Sequence, residues 1–308
     1  MRLLVAGATG LIGRRFVEMS LDAGHDVHAV VRRADHALAC PVTLAPDPLD
    51  ADLYGRVAAQ TGRDVMVNML AAGVHPGDRG AEKLVAANAV FPSRLAASLA
   101  PAGIRALLHL GSSAEYAATA ASQPLPETAP LERERLYGAT KAAGSLLLQA
   151  TARAASLQAV VLRPFNIFGA GEKPHRLLPA ILHKARRGEP VELSDGTQMR
   201  DFLWVDDACA TILVAAAALL EGGIEGGEYN LASGTPVSVR DFALTLARVA
   251  GFDASLLRFG AIARRPDDLP YVVADTAKLD RALGRADRTG LEPALAAALR
   301  SMDLRGYA

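Results

Sequence analysis

Arg2-Leu3-Leu4-Val5-Ala6-Gly7-Ala8-Thr9-Gly10-Leu11-Ile12-Gly13 is the stretch that decides the fold. Residues 3–6 form an unbroken apolar run, the pattern of a strand buried on both faces. A helical pattern over 10–23 follows, with glycines at 7, 10 and 13 across the junction. Glycine permits a tight turn and close backbone approach, and the amides of a helix N-terminus favour an anion. Strand, glycine turn and helix in that order predict a dinucleotide site whose pyrophosphate lies over Gly7, Thr9, Gly10, Leu11, Ile12 and Gly13. The spacing is Gly-x-x-Gly-x-x-Gly rather than Gly-x-Gly-x-x-Gly. A purely structural turn is the competing reading, and the placement directly after a clean strand favours the cofactor.

Outward from that stretch, apolar runs at 26–31, 65–70, 107–110 and 159–162 alternate with helical patterns over 53–61, 82–99 and 136–155. Continuous apolar strands alternating with helices predict an α/β fold, a doubly wound parallel-sheet Rossmann domain covered on both faces. After Pro164 the texture changes, with Pro and Gly clustered over 164–174 and 222–236. We therefore expect a dinucleotide-binding domain over 1–165 with a return segment at about 202–221. Residues 166–308 are expected to form mainly a smaller α/β lobe that binds the substrate.

Composition narrows the partners. Of 308 residues, 51% are hydrophobic and 21% charged, an ordinary soluble globular balance, and the formal net charge is zero. Neither nucleic acid nor a membrane surface is implied. Cys40 and Cys209 stand far apart with no Cys-x-x-Cys spacing, so no disulfide framework or metal site is expected and a cytoplasmic location is the default. The apolar stretch 208–220 is too short to span a bilayer.

At the end of the second strand stand Arg32 and Arg33. An acidic residue here suits the ribose hydroxyls of NAD(H), whereas arginine suits a 2′-phosphate, so NADP(H) is favoured. Two arginines that merely solvate a strand end are the plainer reading. Leu49 and Asp50, after the third strand, are placed near the adenine. Leu70, Ala71 and Ala72, at the C-terminal end of another strand, are expected to border the cofactor.

Tyr137-Gly138-Ala139-Thr140-Lys141 carries the chemistry. Tyrosine and lysine four residues apart share one helix face, so an ammonium there can lower the phenol's pKa. Such a tyrosine exchanges a proton with a carbinol or carbonyl oxygen near neutral pH. Chance supplies the spacing occasionally, and its weight comes from its surroundings. Upstream, a strand ends at His109-Leu110-Gly111-Ser112-Ser113-Ala114-Glu115-Tyr116, which points a hydroxyl into the ligand crevice of a parallel sheet.

Taken together the chain resembles the extended short-chain dehydrogenase/reductases, and within them the nucleotide-sugar epimerase/dehydratase/reductase family. The resemblance covers nearly the whole length. Besides the stretches above it includes Leu162-Arg163-Pro164-Phe165-Asn166-Ile167-Phe168-Gly169 and Met199-Arg200-Asp201-Phe202-Leu203-Trp204-Val205-Asp206-Asp207. Tyr229-Asn230-Leu231-Ala232 and Arg264-Arg265-Pro266-Asp267-Asp268 complete it. The resemblance implies that Ser112 is the catalytic hydroxyl and Tyr137 the acid/base. Lys141 would hold the nicotinamide ribose and lower the Tyr137 pKa, with Pro164 and Ile167 also lining the cofactor. Ser112, Ser113 and Asn166 would meet a nucleotide-diphosphate sugar, Arg200 and Arg265 its phosphates, and Asp268 its ribose. A surface salt bridge is the bland alternative for the two arginines. The resemblance also implies a homodimer paired through helices 82–99 and 136–155.

Departures from the family pattern narrow the reaction. The related 4,6-dehydratases follow the catalytic hydroxyl with an Asp-Glu pair, where this chain has Ser113 and Ala114. The related 3,5-epimerase/4-reductases carry a cysteine at the place of Ala114. Hydride exchange at a single carbinol or ketone carbon remains. The leading expectation is an NADPH-dependent reductase of a nucleotide-diphospho-4-keto-6-deoxyhexose. An NDP-sugar 4-epimerase with tightly bound NAD is the alternative, and a non-catalytic dinucleotide sensor or a reductase of a non-sugar ketone ranks below. His175 either contacts a sugar or faces solvent.

Overall fold

Six strands run in one direction through the first half of the chain: β1 (Arg2–Ala6), β2 (Asp26–Val31), β3 (Val42–Leu44), β4 (Val65–Asn68), β5 (Ala106–Leu110) and β6 (Gln158–Pro164). The computed structural model describes every residue except 35–36, 75–76, 78, 120–121, 266–267, 285–287 and 305–308. Helices α1 (Leu11–Asp22), α2 (Ala51–Thr61), α3 (Ala81–Leu84), α4 (Phe91–Leu99) and α5 (Leu136–Ala154) connect the strands. The remainder begins with β7 (Asn166–Phe168), α6 (Leu177–Ala185), β8 (Val191–Leu193) and β9 (Met199–Trp204). Helix α7 (Val205–Glu221) and β10 (Gly227–Leu231) then lead to β11 (Pro236–Ser238), α8 (Val239–Ala250), β12 (Leu257–Phe259) and β13 (Tyr271–Val272). Helices α9 (Ala277–Leu283) and α10 (Leu291–Leu304) close the chain.

The main sheet has the order β3-β2-β1-β4-β5-β6-β10, with every pairing parallel. Alternate residues feed two cores. Leu3, Val5, Val65, Val67 and Leu108 face α1 and α7, while Leu4, Ala6, Met66 and Leu107 face α2, α4 and α5. Each such side chain contributes roughly 1.5–3 kcal/mol when fully buried, so every sheet residue of β1 from Leu3 to Ala6 works for one layer or the other. The strand order reverses between β1 and β4, which opens a crevice at their C-terminal ends.

Of the segment at about 202–221, helix α7 packs on the main sheet while β9 does not. β9 pairs with β7, β11 and β13 in a separate small sheet. Helix α7 lies on the main sheet through Ala208, Ile212, Ala215 and Leu219, and β10 is the strand that joins it. A charged clamp holds α7 in place: Arg15 of α1 donates two hydrogen bonds to Asp206, at 2.7 and 2.8 Å. The smaller lobe has its own core, in which Phe168, Phe202 and Phe242 pack ring against ring. Among the described residues no helix is long and apolar enough to cross a membrane, and no cluster of side chains suits a metal ion.

The helical pattern over 82–99 is interrupted by a wider π-turn, Val85–Val90. Pro92 has no amide to donate to the Asn88 carbonyl four residues back, so the α-helical ladder cannot run through it. There Gly144 of α5 comes so close that a Cβ on it would stand 1.8 Å from the Asn88 carbonyl oxygen. The Asn88 side chain holds both the amide and the carbonyl of Ala72, at 2.9 and 3.1 Å, and so fixes the loop after β4.

Candidate active site

The glycine turn sits at the reversal of strand order, between β1 and α1. Gly7 has φ +79°, and a Cβ on it would lie 2.8 Å from the backbone of Met69. Gly13 is held tighter still, its Cβ position 2.1 Å from the Gly7 carbonyl oxygen. Helix α1 begins at Gly10 with no side-chain cap and no acidic residue in its first turn. An uncapped N-terminus over a side-chain-free turn fits a pyrophosphate, with the first-turn amides of Leu11, Ile12 and Gly13 available to hold it. Thr9 is exposed beside it.

Around that turn, Arg32 and Arg33 follow β2 and are both exposed. Asp50 has a local role: its carboxylate caps α2 at the amides of Asp52 and Leu53 and pairs with Arg56 at 3.3 Å. Leu49 packs beneath it into the core. Leu70 donates its amide to Asn68 at 3.1 Å, Ala71 is exposed, and Ala72 is buried. Pro164 ends β6 and Ile167 is buried in β7.

Ser112, Tyr137 and Lys141, the expected proton-handling residues, converge at the C-terminal end of β5. The Ser112 hydroxyl faces the Tyr137 phenol closely enough to lower its pKa. Burial pushes that phenol's pKa up, opposed by Ser112 and by the positive charges of Arg79 and Arg176, while Glu115 adds to the rise. The Lys141 ammonium is buried and donates to the Leu110 carbonyl at 2.8 Å. Burial lowers Lys141 itself from 10.5 to about 8, with Glu115 opposing. The cation over the phenol is Arg79, whose guanidinium carbon lies 5.1 Å from the ring centroid and whose Nε donates to the Gly73 carbonyl at 3.1 Å.

A strand-end serine, a tyrosine and a lysine one turn apart, all at the mouth of a dinucleotide crevice, are what hydride exchange at a carbinol carbon requires. The sequence pattern of the NAD dependent epimerase/dehydratase family matches residues 3–232. The chain belongs to that family. Its homologues include nucleotide-sugar epimerases, dehydratases and GDP-fucose synthases. The putative GDP-L-fucose synthase 2 of Oryza sativa subsp. japonica is 30% identical over 96% of this chain and 83% of its own length. The dTDP-glucose 4,6-dehydratase of Streptomyces griseus is 29% identical over 96% and 92%. Among solved structures, MoeE5 in complex with UDP-glucuronic acid and NAD superposes with a TM-score of 0.84 and 26% identity, covering 99% of this chain and 100% of that one.

In this epimerase/dehydratase-family chain, Asn166 approaches the Asp201 carbonyl at 3.5 Å and Arg265 is exposed. Arg200 and Asp268, expected at the phosphates and the ribose, are ion-paired with each other, and Gln198 donates to Asp268 at 3.2 Å. Residues 266 and 267 of that motif lie outside the described residues. His175 is exposed.

Sequence reasoning missed four elements. Glu115 is fully buried; its Oε1 accepts from the Ser112 amide at 2.9 Å and from the Ser145 hydroxyl at 3.0 Å, and its Oε2 from Arg163 Nε at 2.8 Å. Arg163 goes on to the Tyr116 hydroxyl and the Glu127 carbonyl, both at 3.2 Å. Arg79 and Asn88 are the second and third. The fourth is Glu172, whose carboxyl accepts from the Gly169 amide at 3.1 Å and pairs with Arg176 at 3.5 Å. Only the capping-box spacing Ser112-x-x-Glu115 was a usable signal, and it marks a helix start rather than a site.

Proposed function

We propose that this protein exchanges a hydride at one carbinol or ketone carbon of a nucleotide-diphosphate sugar, acting as an NADPH-dependent reductase of a 4-keto-6-deoxyhexose. The observation that carries the reading is the turn after Ser112. Ser113 and Ala114 bring neither acid nor thiol to it, and Glu115, the nearest carboxyl, is turned into the core and held by Ser112, Ser145 and Arg163. Nothing on that turn can take a proton from carbon, which leaves Tyr137 to donate the single proton and Ser112 to hold the same oxygen.

The nicotinamide cofactor supplies the hydride when bound. The residues over 7–13 would hold its pyrophosphate, and Arg32 and Arg33, exposed at the end of β2, suit a 2′-phosphate. The smaller lobe would take the nucleotide, with Asn166, Arg200, Arg265 and Asp268 as its contacts. The Arg200–Asp268 pair has to open for that, releasing a guanidinium fork to a phosphate. Apolar side chains exposed on the paired helices, among them Val85, Val90, Leu146 and Leu147, suit a second copy of the chain.

A 4-epimerase with retained NAD is the second reading, favoured by the NAD named in the MoeE5 complex and by the family's description. Mass identification of the cofactor that co-purifies separates the two. NADP(H) or an empty site, with NADPH oxidised by a 4-keto-6-deoxyhexose nucleotide, supports the reductase. Stoichiometric NAD with interconversion of two NDP-hexoses replaces it by the epimerase. In either case Tyr137→Phe is expected to lower turnover about a hundredfold or more while cofactor remains bound. Undiminished turnover would remove Tyr137 from the reaction.

A further inference from the structure

Behind the turn that carries Ser112 lies a buried cluster of two cations and one carboxyl, of which only Lys141 has been given a part at the site so far. Lys141 comes from α5, Arg163 from β6 and Glu115 from the turn after β5, all between 0% and 2% exposed. Glu115 reaches this place because residue 111 is glycine: a Cβ there would stand 2.3 Å from Glu115 Oε1. The Lys141 ammonium sits on the carbonyl of Leu110, the residue bonded to that glycine. Ser145, one turn beyond Lys141, hydrogen-bonds the same Oε1 at 3.0 Å. The carboxyl is thus inserted between the catalytic serine's amide and the helix face that carries the lysine.

A lysine with no exposure sheds its proton unless an anion faces it. Around Lys141 the titratable neighbours are Tyr137 on its own helix, His109 on β5, and Glu115 with Arg163 behind it. His109 is held neutral by burial, its Nδ1 bonded to Asn68 at 3.0 Å. Tyr137 is a neutral phenol pushed upward. Glu115 is the one carboxyl among these described groups; burial raises its pKa, opposed by the charges of Arg163 and Lys141, and its two oxygens are divided between Arg163 on one side and Ser112 and Ser145 on the other.

We propose that Glu115 is a positioning residue for the site: its buried carboxylate is the counter-charge that keeps Lys141 an ammonium, and its bond to the Ser112 amide fixes the hydroxyl that faces Tyr137. A charged Lys141 offers three donors to the carbonyl of Leu110 and to ribose hydroxyls, where a neutral amine offers two weaker ones. The role toward turnover rests on the hydride-exchange reading. The charge of Lys141, however, is measured without substrate or cofactor, so the two fail separately.

The chain has only five lysines, at 83, 141, 173, 184 and 278, so ¹³C-lysine NMR resolves them individually. Lys141→Met assigns the signal. In the parent protein the Lys141 midpoint is expected at about 8. In Glu115→Gln, which keeps an acceptor for Ser112 and Ser145 but removes the charge, the proton affinity of Lys141 should fall tenfold or more, a shift of about one pH unit or greater. Should the orphaned Arg163 prevent that variant from folding, Glu115→Gln/Arg163→Gln measured against Arg163→Gln isolates the same charge. An unmoved midpoint in a folded variant would mean that Glu115 is carried as a neutral acid and would overturn the proposal. So would a parent-protein Lys141 that titrates with the four other lysines.

Discussion

Gly138, the residue after the proposed proton donor, lies where α5 meets the turn that carries Ser112. A Cβ there would stand 2.2 Å from the Ala114 carbonyl oxygen and 2.7 Å from Glu132 Cγ. Ordinary contact begins at 3.4 Å, so Gly138→Ala requires a displacement of about 1.2 Å, and the atom that must yield is backbone. Overpacking of this kind costs about 1–3 kcal/mol, and the shortfall puts it at the upper end. Replacing a helical glycine returns about 1 kcal/mol, which leaves a net loss of about 2 kcal/mol. The moving segment is the turn from Ser112 to Glu115, so the Ser112 and Tyr137 hydroxyls should separate by a comparable distance. A misplacement of about 1 Å costs on the order of a hundredfold in turnover. Urea unfolding measures the first quantity. NADPH oxidation with a 4-keto-6-deoxyhexose nucleotide measures the second, and dinucleotide affinity, set over 7–13, should hold. Gly80→Ala, with nothing within 4 Å of its Cβ, is the control and should stay within about 0.5 kcal/mol of the parent. Parent-like stability and turnover in Gly138→Ala would refute the close approach of turn and helix.

Two further outcomes follow from charges near the site. Removing the guanidinium over the phenol, as in Arg79→Met, should raise the Tyr137 midpoint in the pH profile of the oxidative direction by about half a unit, the size of an exposed cation–π contact of roughly 0.5–1 kcal/mol. Arg79→Lys should restore part of it, and an unchanged profile would mean that Arg79 does not act on Tyr137. Glu172, raised by burial from 4.5 to about 7, binds more protons folded than unfolded between those values. Stability should therefore decline by about 3 kcal/mol as pH rises through that window, and in Glu172→Gln this contribution should vanish. Parallel pH–stability curves for parent and variant would contradict it.

How much of this was legible beforehand depends on how local each feature is. The glycine turn, the alternating strands and helices, and the Tyr137–Lys141 spacing are patterns within a few residues or one helical turn, and they hold before any tertiary contact forms. The helix over 82–99 was legible as a helix, but its π-turn depends on the pairing of Pro92 with the close approach of Gly144. Over 202–221, that α7 covers the main sheet while β9 pairs with β7, β11 and β13 is decided by contacts distant in the chain. The capping of α2 by Asp50 depends on where the helix starts, which the sequence pattern over 53–61 does not mark.

The sequence by itself therefore determined the doubly wound sheet, the glycine turn after β1, and the strand end and helix that carry Ser112, Tyr137 and Lys141. Only the tertiary structure decided their charges. Arg79 lies over the phenol, and Glu115 opposes the effect of burial on Lys141 while its own partner Arg163 lies 48 positions further along the chain. Proton affinity is set by burial and by the sign of whatever charge lies within a few ångströms, and those neighbours come from strands and turns that no local pattern in the sequence brings together.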